Sequence, residues 1–125
     1  MKIENIKFKA KKTLDGKWIK GDLVHHKDSD NVRMTDFEKR LTSPITPSTI
    51  CQFTGLKNCK DNEIFEHDLI HFVGHKPIGE VIWSEEDYAF MIASENEPLY
   101  WLSDVQEIGK IEIVGNKFDR KEGEK

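Results

Sequence analysis

From Ile50 onward the chain alternates short apolar runs with turn chemistry, and that alternation limits the fold more than any other feature. Ile50–Phe53, Glu63–Val73, Ile78–Trp83, Ala89–Ala93, Leu99–Leu102 and Glu107–Val114 are rich in β-branched and aromatic residues. Gly55, Asp61-Asn62, Gly74–Pro77, Ser84–Asp87, Glu95–Pro98 and Ser103-Asp104 separate them. Short runs at such spacing predict strands, and many short strands predict a small barrel or sandwich.

The N-terminal part follows the same rule. Ile6 to Lys11 alternates strictly, with Ile6, Phe8 and Ala10 on one side and Lys7, Lys9 and Lys11 on the other. Asp15-Gly16 is a tight-turn dipeptide and Lys17-Trp18-Ile19 resumes an extended run, so an N-terminal β-hairpin is expected. A polar loop follows from Lys27 to Val32. Thr35 and Glu38 then fit a capping box, and Met34, Phe37 and Leu41 share one helical face, so a short helix is expected near residues 35 to 41. Ser43-Pro44 and Thr46-Pro47 end it.

With 125 residues the chain has the length of one domain, taken here as 1–118 with a charged, disordered tail at 119–125. No apolar run approaches the roughly 20 residues of a membrane span. Two cysteines, Cys51 and Cys59, make no disulfide framework, which places the protein in a reducing cytoplasm with one buried and one loop thiol. Charge is uneven. Residues 1–20 hold seven lysines against Glu4 and Asp15, a net +5 that leaves −9 for the rest of a chain whose net charge is −4. So negative a remainder argues against broad phosphate binding.

Lys17–His25 and Glu63–His71 echo one another: charged, two apolar, charged, any residue, Asp, Leu, branched apolar, His. The physical reading is strand, sharp bend before the Asp, strand, with Gly21 and His67 at the bends and Asp22 and Asp68 bonding nearby amides. On that reading His67→Gly is neutral or stabilising by about 0.5–1 kcal/mol, because glycine relieves a left-handed residue.

Gly16–Leu23, the Gln52-Phe53-Thr54-Gly55-Leu56 centre, Glu63–Ile70, Gly79-Glu80-Val81-Ile82-Trp83 and Val114-Gly115-Asn116 together resemble the YopX family of phage and prophage proteins. The family's patterns are G-x-W-x-x-G-D, Q-[FY]-T-G-L-x-D, E-I-[FY]-E-G-D-[IL]-V, G-x-[VI]-x-[WF] and I-G-N, met here in order from about residue 8 to residue 118. Two positions depart: His67 stands for the family's glycine and Asn58 for its usual Asp. The resemblance implies a mainly β protein with a small, partly open SH3-like barrel, in a bacterial host's cytoplasm, with no established chemistry.

His67, His71 and His75 are spaced four apart, but on a strand four residues span about 13 Å, too far for one ion. Cys51 and Cys59 match no zinc spacing. Glu85, Glu86 and Asp87, with Glu95 and Glu97, fall in turns, and no phosphate loop or nucleophile motif accompanies them. No catalytic residue, cofactor or metal is therefore expected. Trp18, Trp83, Tyr88, Phe90, Tyr100 and Trp101 read as core and cross-strand pairs or as a binding groove. Tyr100 and Trp101 are adjacent, so on a strand they face opposite ways. The interaction face is Lys7, Lys9, Lys11, Tyr100 and Trp101, and the structural bends are Gly21, Asp22, Gly55, His67 and Asp68. The expected partner is a protein or a second copy, through an exposed sheet edge. The alternative is nucleic acid on the lysine face, which otherwise serves to guard an edge strand.

Overall fold

A computed structural model describes residues 2–25, 31–72, 75–94, 97–108 and 110–119. The chain is mainly β, with two antiparallel sheets, one short α-helix and no closed barrel among the described residues. The strands are β1 (Phe8–Lys11), β2 (Trp18–His25), β3 (Val32–Asp36), β4 (Thr42–Pro44), β5 (Cys51–Lys57), β6 (Glu63–Phe65), β7 (Asp68–Phe72), β8 (His75–Ser84), β9 (Ala89–Ser94), β10 (Glu97–Trp101) and β11 (Ile111–Asn116); the helix is α1 (Leu102–Ile108). One sheet runs β4-β3-β2-β1-β5-β6 and the other β10-β9-β8-β7-β11. The chain divides into two compact units, Met1–Phe53 and Thr54–Lys125.

In the first unit the hairpin forms as expected, with Lys11 opposite Trp18 and Phe8 opposite Gly21. Gly16 closes its turn at φ 70°, Lys12 accepts the Gly16 N–H at 2.9 Å, and the Asp15 carboxylate accepts the Lys17 N–H at 2.9 Å. That bond, with Lys12 at 3.3 Å, holds the Asp15 carboxyl below its ordinary pKa. Ala10, Met34 and Ile45 form the buried core, with Phe8, Ile19 and Leu23 packed against it.

The helix expected at residues 35 to 41 is absent. β3 runs through Asp36, and a turn returns the chain to β4. Thr35 bonds across the sheet to the Thr42 hydroxyl at 2.8 Å, while Asp36 accepts the Glu38 N–H at 2.8 Å and Arg40 takes φ 56°. Met34 is buried as a strand residue, whereas Phe37 and Leu41 are exposed. A pairing partner on each side of β3 outweighs a helical pattern of barely two turns.

The second unit is a meander closed by its last strand. Val81 lies opposite Ile92 and both are fully buried, with Ile64, Ile70, Leu102 and Ile111. The turn expected at Ser103-Asp104 is the first turn of α1 instead. Leu102 and Val105, three apart, bury one helical face in this core, and Asp104 stands near the helix start, where a negative charge is favoured. Gly55 is likewise no break between strands: β5 continues through it at φ 86°. The tail expected at 119–125 lies outside the described residues beyond Asp119, as does most of the Lys27–Val32 loop.

Candidate functional site

β1 lies between β2 and β5, so its lysines do not guard an open sheet edge, and that expectation is overturned. Alternation places Lys7, Lys9 and Lys11 on one face, opposite to buried Ala10. Each sits over an aromatic ring. Lys7 Nζ is 4.8 Å from the Phe53 ring centre, and Lys9 and Lys11 are 5.0 and 5.3 Å from that of Trp18. Such contacts are worth about 0.5–1 kcal/mol at exposed sites, and the apolar stems cover ring surface while the amines meet water. Lys20 stands directly across the ladder from Lys9. Four cations and one indole therefore share a small area of sheet.

Tyr100 and Trp101 lie on β10, which ends the order of its sheet. They are 43% and 46% exposed, although Tyr100 pairs with buried Ile92 and Trp101 with buried Met91. A bulge between Pro98 and Tyr100 shifts the register there. Trp83 and Phe90 are a cross-strand pair, rings edge to face at 5.1 Å, and Tyr88 is exposed on the turn between them. The lysine face belongs to one unit and the β10 aromatics to the other.

The two expected bends differ. Gly21 and Asp22 are inner residues of β2, and no bend occurs there. A Cβ on Gly21 would lie 1.8 Å from the Thr35 carbonyl oxygen, so glycine is required by close approach of β3 and not by a left-handed backbone. His67 does sit between β6 and β7, at φ 70°. Its N–H donates to Val81 O at 2.7 Å and its carbonyl accepts the Lys117 N–H at 3.0 Å. Nδ1 donates to the Glu80 carboxylate at 2.8 Å, and the ring meets Phe118 edge-on at 5.2 Å. Asp68, 1% exposed, accepts the Phe65 N–H at 2.8 Å and the Asn116 side-chain N–H at 2.9 Å. A cleft of about 600 Å³ beside the bend is lined by Leu69, Glu80, Lys117 and Phe118 among others. His71 lies in β7 and His75 opens β8, and among the described residues no three of His, Cys, Asp and Glu gather as a metal site. Cys51 is buried and Cys59 exposed.

The family model for YopX protein matches residues 7–122. The chain belongs to the YopX protein family. No curated protein matches it. In this YopX protein two of the segments that carried the resemblance meet: Asp68 of Glu63–Ile70 and Asn116 of Val114-Gly115-Asn116 are joined across 48 positions. Asn58, where the YopX pattern has Asp, accepts the N–H groups of Lys60 and Asn62 at 3.0 and 2.9 Å. Either side chain supplies that oxygen, so the departure keeps the geometry and drops the charge. Sequence reasoning missed Lys20, Phe37, Phe53, Glu80 and Phe118 as partners. Lys20 comes from the adjacent hairpin arm, opposite Lys9, whereas Phe53, Glu80 and Phe118 reach Lys7 and His67 only through contacts between distant segments that no local pattern carries.

Proposed function

We propose that this YopX protein is a non-enzymatic accessory protein of a phage or prophage, working in the host cytoplasm by binding a protein partner or a second copy of itself. The observation that carries the reading is β10, a terminal strand whose adjacent Tyr100 and Trp101 both keep close to half of their surface in water. Aromatic residues on a terminal strand supply what strand addition needs: main-chain bonds for affinity and side-chain anchors for specificity. The well-placed polar side chains support the non-enzymatic part. Asp15, Asp36, Asn58 and Asp68 each accept backbone N–H groups that hold a turn. No helix among the described residues is long and apolar enough to cross a membrane. The test is a Tyr100→Ser, Trp101→Ser double variant that keeps its melting temperature. Sedimentation velocity and affinity capture from phage-infected cells should show a self-association or a specific partner in the wild type and its loss in the variant. An unchanged profile removes β10 from the reading.

A second reading rests on a different observation, the lysine face over Trp18 and Phe53. Cations beside aromatic rings are the usual equipment of single-strand nucleic-acid grooves. Changing Lys7, Lys9 and Lys11 together to Gln should then lower oligonucleotide affinity uniformly and shrink the slope of log K against log salt by up to about three.

A further inference from the structure

We propose that β10, together with the turn between β8 and β9, receives an extended, lysine- or arginine-bearing segment of another protein. The inference rests on the first reading above and deepens it by naming the chemistry of the partner. Charge is the starting point. From Ile78 to Gly109, through most of β8 and all of β9, β10 and α1, the chain holds eight carboxylates and not one Lys or Arg. This stretch carries −8 in a chain of net charge −4, so the remainder is +4.

The ladders bring an exposed part of that charge to the end of β10. Trp101 finishes the strand opposite Met91, two residues into β9 from Ala89. The turn leading into Ala89 is Glu85-Glu86-Asp87-Tyr88, and all four residues are exposed. Glu85 and Glu86 make no ion pair among the described residues. The same end of the sheet exposes three aromatic side chains, Tyr88 at 79%, Trp101 at 46% and Trp83 at 40%. Aromatic faces and carboxylates both attract cations, and an ammonium or guanidinium gains from each. A phosphate backbone, an anionic bilayer and an acidic peptide are repelled by the same charge. The strand adds main-chain pairing, because β10 ends its sheet order. Pro98 has no N–H to give, which confines an added strand to Leu99–Trp101, the part nearest the acidic turn. A second copy is a poor occupant. Pairing β10 with β10 sets −8 against −8, and the lysine-rich β1 is already flanked by β2 and β5.

The full chain is titrated by fluorescence anisotropy with three labelled octapeptides, of Lys-Val, Glu-Val and Lys-Pro repeats. The last matches the first in charge but cannot form a regular ladder. Lys-Val should bind about 10-fold or more tightly than either control, and added salt should weaken it. In NMR spectra it should shift the backbone amides of Glu85–Tyr88 and Leu99–Trp101. Trp101→Ser and Tyr88→Asn should each weaken binding about 2- to 30-fold. Asparagine suits the φ of 50° at Tyr88, so that variant separates binding from folding, and thermal melts confirm that it folds. Changing Glu85 and Glu86 together to Gln should slow association. Equal binding of Lys-Val and Lys-Pro, or binding that none of these changes affects, is charge attraction alone and overturns the proposal. Self-association lost in the Tyr100→Ser, Trp101→Ser variant, with no binding of Lys-Val, makes the occupant a second copy and overturns it too. If a partner is captured through β10 but Lys-Val does not bind at millimolar concentration, the basic segment is overturned and the β10 reading stands. If Lys-Val binds and the double variant leaves both it and the captured partner unchanged, β10 is removed from both.

Discussion

In Lys17–His25 the chain runs straight, with Gly21 paired to Phe8 on one side and Asp36 on the other, and Asp22 exposed. In Glu63–His71, written in the same pattern, it breaks at His67, and Asp68 turns inward to bury its carboxylate. The repeated residues therefore specify two extended runs with their apolar sides, and leave the middle open. In the first copy neighbouring strands occupy both flanks, so the ladder continues and the glycine makes room for β3. In the second the Phe65 N–H and the Asn116 amide wait for an acceptor, and a bend delivers one. A local pattern sets what a segment is able to do; its neighbours choose.

The sharpest way to break this comparison is Gly21→Ala. The added Cβ meets backbone at 1.8 Å, which no rotamer relieves, so the first copy should lose about 3 kcal/mol or more in denaturant titration. Were Gly21 at a left-handed bend instead, the loss would be nearer 1 kcal/mol. Next is Asp68→Ala, which leaves two buried donors without their acceptor and should cost about 2–3 kcal/mol, while Asp22→Ala in the first copy stays within about 0.5 kcal/mol. His67→Gly comes third. Relief of φ 70° gains about 0.5–1 kcal/mol, but the bond to Glu80 and the edge contact with Phe118 are lost, so the net is a destabilisation of about 1 kcal/mol. That reverses what the echo alone led one to expect; a more stable His67→Gly variant would restore it. The smallest effect lies in the turn that precedes the first copy. The Lys17 N–H, and then Lys12, favour the ionised form of Asp15 in the fold, so this contribution is present above the unfolded carboxyl pKa and is lost as pH falls through the lowered folded one. An NMR titration should place the Asp15 midpoint below the ordinary aspartate value.

What could be read from the residues follows the same division. Alternation at Ile6–Lys11, the Asp15-Gly16 turn and the short apolar runs after Ile50 are local statements, and the hairpin and the mainly β class follow from them. The failures are of the other kind. Thr35–Leu41 satisfies a capping box, yet Thr35 finds Thr42 across a strand pair that no local window contains. Ser103-Asp104 has turn chemistry, yet Leu102 and Val105 find a core to fill and a helix is how they reach it. For the candidate sites, Lys7, Lys9 and Lys11 were legible as one face. That they lie over Phe53 and Trp18, in an inner strand, was not, because the neighbours of β1 come from far along the chain in β5, as with Lys9 opposite Cys51, as well as from the adjacent hairpin arm.

The register that sets Asn116 beside Asp68 also imposes a timetable. β7, β8, β9 and β10 leave the ribosome in the order in which they pair, each completing its ladder with the one before. β11 comes last, and its place is beside β7, the first of the five. At about 5–20 residues per second, roughly 2–8 seconds separate the two strands during synthesis. Over that interval one flank of β7 offers bare N–H and C=O groups, and Asp68 lacks its amide. Ribosomes translating the same message hold many nascent chains in this condition side by side. The hazard of strand exchange between copies thus belongs to the interval before β11 emerges, and its pairing with β7 removes it.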